Sequence, residues 1–226
     1  MKKIVITATA ESYEQARELL ELGVDRIYIG EKTFGLRLPK PLSFAEMRKI
    51  AELVHESGKE LTVAVNALMH QSMMDALPDY LDFLEEIKAD YITVGDAGVF
   101  YICNRDKRPF KMIYDASTMV TSSRQINFWG KQAGASEAVL AREILRNSSS
   151  WLKIFKFQLR FWFTGQVSFT TQNDHFFKTT TTLSKRMKLL PKNVTSFFLN
   201  LEIQILTTQS MKTCMEHISL PIMTWI

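Results

Sequence analysis

The chain is poor in the residues that would make its chemistry easy to name. Only two of its 226 residues are cysteine, Cys103 and Cys214. Cys103 has no Cys or His close by, and Cys214 with His217 is a lone pair, so neither a disulfide framework nor a zinc site can be argued. No uncharged apolar run approaches about 18 residues, which argues against a membrane span. The opening letters, MKKIVITATAES, hold a short apolar stretch without a cleavage-site pattern and suit a first strand better than an export signal. The expected location is the cytoplasm. No glycine-rich phosphate loop follows that strand. TATAES stands there instead, which disfavours a dinucleotide-binding fold.

A second shortage is local. Residues 1–144 carry 21 Asp and Glu against 18 Lys and Arg, a net charge of −3. Residues 145–226 hold only Asp174, Glu202 and Glu216 against 10 Lys and Arg, a net charge of +7. Glycine is scarce there too: eight of nine lie in the first part, and only Gly165 in the second. Threonine runs the other way, with four in a row at Thr179–Thr182. The chain therefore divides into residues 1–144 and a basic, Thr-rich tail, 145–226. The tail has no sustained hydrophobic period and no helix caps, and is expected to be poorly structured. An aromatic-basic stretch such as WLKIFKFQLRFWF would otherwise suit an RNA or membrane surface.

What the first part does contain is a repeated strand–helix unit. KIVITA, RIYIG, LTVAVN, YITVGD, KMIYDA and EAVLARE are short apolar runs. They are separated by SYEQARELLELG, SFAEMRKIAELVHESG, MDALPDYLDFLEEI, AGVFYICNR and SRQINFWGKQAG, most with apolar residues at helical spacing. Ser43 with Glu46 three residues on forms a capping-box pattern. Continuous rather than alternating apolar strands mark a parallel sheet covered on both faces. Alternating β and α elements at even spacing give an α/β fold. They favour a (β/α)8 TIM-barrel-like architecture that is incomplete here, with six recognisable βα units.

In such a barrel, chemistry sits at the C-terminal ends of the strands. Asp115, Arg142 and Glu143 are the catalytic candidates there. Glu31, Asn66, His70, Asp96 and Thr118 are the substrate-binding candidates, with Thr121 and Ser122 close by. Each has a plainer reading. Asp96 or Ser122 can cap the helix that follows. Arg142 and Glu143 can pair at the rim, and His70 can be a solvated loop residue. As a set, carboxylates, an Arg, an Asn and a His on one face suit a polar substrate without spelling out a reaction. Ser122 has no identifiable His–Asp pair, so a serine triad is unsupported. Cys103, inside an apolar helical stretch, reads as core.

The segments GVDRIYIGEKTFGLRLP, VAVNALMH, LPDYLDFLEEIKADYITVGDAGV, YDASTMVTSSRQINFW and AVLARE resemble the collagenase-like peptidase family, the U32 peptidases, and specifically its short bacterial members. The resemblance covers residues 1–144. It implies a barrel-like core and either of two activities. Members are named as peptidases, some of them collagen-degrading. Other relatives are tRNA or rRNA hydroxylation factors, some carrying an iron–sulfur cluster. The family's cluster ligands lie after the sixth strand, and none maps onto this chain. The substrate is thus expected to be a peptide or an RNA, with a paralogous family member as a candidate partner. A non-catalytic binding module is the third reading.

The family pattern continues past LARE with two more strand–helix units, and this chain does not follow it. Codons can be chosen for TTQNDHFFKTTTTL, residues 170–183, that read one base earlier as HHSKRPLLQNYYNF, similar to a family segment. The same offset turns SMKTCMEHI, residues 210–218, into YEDMHGTY. Two such matches in one frame and in family order point to out-of-frame translation from about residue 145, and to a truncated protein of doubtful activity.

Overall fold

A computed structural model describes residues 5–115, 122–140, 158–162 and 167–171. The first six strands are β1 (Val5–Thr9), β2 (Arg26–Ile29), β3 (Glu60–Val65), β4 (Tyr91–Val94), β5 (Lys111–Asp115) and β6 (Glu137–Val139). Between them run α1 (Tyr13–Glu21), α2 (Phe44–Glu56), α3 (Gln71–Glu86), α4 (Ala97–Arg105) and α5 (Ser123–Gln132). Each strand pairs in parallel with the next, as the alternating pattern requires. The incomplete TIM-barrel-like reading, with six βα units, holds.

Two further strands join that sheet from the segment assigned to the tail. β7 (Gln158–Trp162) lies parallel to β6, and β8 (Val167–Thr171) lies antiparallel to both β7 and β1. The ring β1 to β8 is closed. Six βα units alone would leave β1 and β6 as open edges, each a row of unpaired amides and carbonyls. A hairpin covers both edges where two βα units would otherwise stand.

Local chemistry starts and stops the helices as the sequence pattern implies. The Ser43 hydroxyl accepts from the Glu46 amide, and the Glu46 carboxylate accepts from the Ser43 amide. This capping box satisfies two orphan donors at the start of α2. Ser12 caps α1 by accepting from the Gln15 amide. Among the described residues no helix is long and apolar enough to cross a membrane.

Side chains of each strand alternate between the helix layer and the barrel lumen. Ile27, Ile29, Leu61, Val63, Val65, Ile92 and Val94 form one buried set, and Met47, Ile50, Val54, Leu77, Leu81 and Leu84 are the buried helix residues. The other set faces the lumen, which one contact establishes. The Arg26 guanidinium on β2 meets the Glu137 carboxylate on β6, with Nη1 3.0 Å from Oε2. β2 and β6 are four places apart in an eight-stranded ring, so these side chains cross the interior. Arg26 also donates to Glu60 Oε2 from Nη2 at 2.8 Å, and its Cζ lies 3.7 Å from the Tyr91 ring centroid.

The strand register then places Thr7, Tyr28, Thr62 and Thr93 on the same inner face. The lumen is unusually polar for a small barrel. The Thr7, Thr62 and Thr93 hydroxyls are buried there and have no hydrogen-bond partner among the described residues.

Candidate functional site

The C-terminal ends of β2 to β5 define one mouth of the barrel, and five of the eight predicted site residues lie there. Glu31 comes two residues after β2, Asn66 directly after β3, Asp96 two residues after β4, and Asp115 ends β5. His70 is the N-cap residue of α3; its side chain is exposed and makes no capping bond. Thr118, Arg142 and Glu143 lie outside the described residues, as does Thr121. Ser122 is the N-cap residue of α5 without a side-chain capping bond.

The hydrogen bonds assign these residues different tasks. Asn66 is buried and reaches both ways: Nδ2 donates to Asp115 Oδ2 at 2.6 Å, and Oδ1 accepts from the Leu36 amide at 2.8 Å. Glu31 turns back on its own loop, and its Oε1 accepts from the Phe34 amide at 2.6 Å. Asp96 behaves as the cap that its position before α4 allows, accepting from the Gly98 amide at 2.7 Å. Its other oxygen accepts from the Met69 amide at 3.2 Å, tying the β3–α3 loop to the β4–α4 loop. The pair brought into direct contact is therefore Asn66 and Asp115. A half-buried carboxylate oriented by a fixed amide is a group that can accept a proton or a hydrogen bond from a polar substrate.

The β2–α2 loop is held over this mouth. The Ala67 amide donates to Phe34 O at 3.0 Å, and the Leu42 amide to Gly30 O at 2.9 Å. Leu38 folds inward: a Cβ at Gly35 would sit 2.6 Å from its Cδ1, and one at Gly30 2.8 Å. Beneath it the Phe34 and Tyr80 rings stack at 4.4 Å. Burial, helped by the Glu31 charge, pushes the Tyr80 phenol well above its ordinary value.

Sequence reasoning missed the charged cluster at the opposite end of the barrel. Arg26, Glu60, Tyr91, Lys111 and Glu137 are each the first residue of a strand. Burial alone would lower the Arg26 guanidinium, but the Glu137 and Glu60 charges outweigh it and hold the pKa above its ordinary value. The signal was a charged letter at the head of four of the six strands, Arg26, Glu60, Lys111 and Glu137.

An iron–sulfur cluster needs several thiolate ligands, with His an occasional substitute. Among the described residues the thiol available is Cys103, buried in α4, and burial pushes it up to about 12. Nor do three His, Cys, Asp or Glu side chains gather into a metal-holding group among the described residues. These residues do not fit such a cluster, and no step is routed through one.

A parallel βα barrel with polar side chains at the C-terminal mouth is the architecture of a large class of enzymes. Within that class this chain belongs to Peptidase family U32, whose profile matches residues 11–167. It is 32% identical over 148 residues to the tRNA hydroxylation protein P2 of Bacillus subtilis (strain 168), covering 66% of this chain and 48% of that protein. It is 27% identical over 143 residues to tRNA hydroxylation protein P1 of the same organism, covering 63% of this chain and 34% of that protein. The chain thus spans about half, or less, of the length of these relatives. Among solved structures, the U32 peptidase Mk0906 superposes with a TM-score of 0.59 at 13% identity, covering 69% of this chain and 66% of that one, a likeness of fold.

Proposed function

We propose that this chain is the barrel portion of an RNA-hydroxylation factor of family U32, with tRNA as the substrate class and the cytoplasm as its location. The observation carrying this reading is the 32% identity to tRNA hydroxylation protein P2. Asp115, oriented by Asn66, is the group at the mouth best placed to meet a polar substrate atom. Arg142, Glu143 and Thr118 complete the proposed set. The family description favours a second reading, peptide hydrolysis. The two separate in one experiment: express the intact reading frame in a strain lacking its tRNA-hydroxylating relatives, then analyse tRNA nucleosides by mass spectrometry and assay gelatin cleavage in parallel. Restored hydroxylated nucleoside without cleavage supports the RNA reading. Cleavage without restoration replaces it with the peptidase.

We further propose that residues after about 144 are translated in a shifted frame, leaving this chain of doubtful activity. The fall from 21 acidic residues to 3 and the near loss of glycine support this. The β7–β8 hairpin is compatible with it. An open sheet edge recruits a segment through backbone hydrogen bonds and asks only for β-propensity, which aromatic and β-branched residues supply. An antiparallel eighth strand is what a hairpin provides and a βα unit does not. Sequencing the DNA around codon 145 tests the proposal: an open offset frame continuing the family pattern is expected, and one full of stops rejects it.

A further inference from the structure

The two residues predicted to grip substrate at β2 and β3, Glu31 and Asn66, instead spend hydrogen bonds holding the β2–α2 loop. That loop carries Lys32, Leu36, Arg37 and Lys40, all exposed. Lys32 and Lys40 make no ion pair among the described residues. The mouth carboxylates Glu31 and Asp96 accept from backbone amides, which partly offsets their charge, while the cations project into solvent.

Two more features single out this loop. Leu36 is 44% exposed, and Leu68, on the β3–α3 loop bonded to it, is 74% exposed. Among the described residues these two apolar side chains stand open beside a polar mouth. Arg37 also has a left-handed backbone, φ 57°. Among the described residues the other non-glycine residues of this kind, Lys88 and Lys107, follow the ends of α3 and α4, where a left-handed residue is ordinary. Arg37 lies in the middle of the loop, and local strain of that sort persists where surrounding contacts over-determine it.

Cations that meet phosphates, set beside apolar surface that can take the face of an unstacked base, are the chemistry that recognises single-stranded RNA. Resting on the RNA reading above, we infer that the β2–α2 loop, with Leu68 beside it, is the lip that docks a single-stranded RNA loop at the barrel mouth. Lys32, Arg37 and Lys40 contact the phosphodiester backbone, and Leu36 and Leu68 contact a base.

The test uses the full chain and a fluorescein-labelled single-stranded RNA of about 12 nucleotides, read by fluorescence anisotropy over a salt series. Lys32→Glu with Lys40→Glu should weaken binding about tenfold or more and flatten the salt dependence by roughly 0.7 log unit for each phosphate no longer held. Lys32→Arg with Lys40→Arg should retain binding, which separates charge from folding. Leu36→Ser with Leu68→Ser should weaken binding while leaving the salt slope unchanged. Lys107→Glu with Lys131→Glu removes the same charge at the far end of α4 and α5 and should have little effect. If RNA binds but the lip and far-end charge reversals weaken it equally, the lip assignment is overturned and the RNA reading stands. If the chain binds polyglutamate peptide and not RNA, or binds no RNA, both fall.

Discussion

Arg26 and Glu137 are 111 residues apart in sequence and meet across the barrel, Nη1 to Oε2 at 3.0 Å, with both side chains 2% exposed. The contact ties the second strand to the sixth through the lumen rather than through neighbouring backbones. Breaking one side leaves an uncompensated buried charge, so Arg26→Met should cost about 3–5 kcal/mol. The double variant Arg26→Met, Glu137→Leu should cost less than Arg26→Met alone. Urea unfolding followed by circular dichroism measures both, and equal losses would show that the pair does not act as a unit.

Asn66 is the hinge of the mouth, and its two contacts predict two different failures. Asn66→Ala strands the Leu36 amide and should cost about 1–3 kcal/mol. Asn66→Asp places a second carboxylate against Asp115, which raises the pKa of the pair. A carboxyl pKa raised by folding gives stability that is lost as pH rises through it. Asn66→Asp should therefore lose more stability relative to wild type at pH 7 than at pH 5. Thermal melts at the two pH values decide, and an equal deficit would contradict the contact.

The inner hydroxyls predict a gain. Thr93 is buried with its Oγ1 unpartnered among the described residues, so Thr93→Val removes a desolvated polar group at nearly constant shape. The variant should be more stable by about 1 kcal/mol. A loss of stability would mean the hydroxyl has a bonding partner in solution.

Cys103 predicts both a reactivity and a pH profile. Burial raises its thiol from 9.0 to about 12, so the native protein should resist alkylation at Cys103 at pH 8 and react there once unfolded. The folded value is the higher one. Its contribution to stability is therefore complete below pH 9 and lost between 9 and 12. By pH 10 wild type should have lost on the order of 1 kcal/mol relative to Cys103→Ala. Peptide mapping after iodoacetamide and unfolding curves from pH 8 to 10.5 check the two halves.

These features were not equally legible in the letters. The six strands and five helices follow from period and caps, because both are local. Ser43 with Glu46 gave α2 its start, and Asp96 before α4 was readable as the cap it proves to be. The convergence of Glu31, Asn66, Asp96 and Asp115 on one mouth follows from parallel topology. Their division of labour does not, because whether Asn66 meets Asp115 or the Leu36 amide depends on how a loop 30 residues upstream folds back. The Arg26–Glu137 contact was hidden for the same reason: parity could place each on a face, and only ring closure makes the faces meet. The joining of β8 to β1 was equally out of reach, since it depends on which edge is left open.

The direction of β8 has a consequence for how a substrate can lie. β1 to β7 all run toward the mouth, whereas β8 runs away from it. A (β/α)8 barrel brings the C-terminal ends of eight strands to that mouth. Seven reach it here, and the C-terminal end of β8 lies instead at the end of the barrel where β2 and β6 begin with Arg26 and Glu137. A substrate seated at Asp115 is therefore served by the ends of seven strands, with the eighth turned away from it.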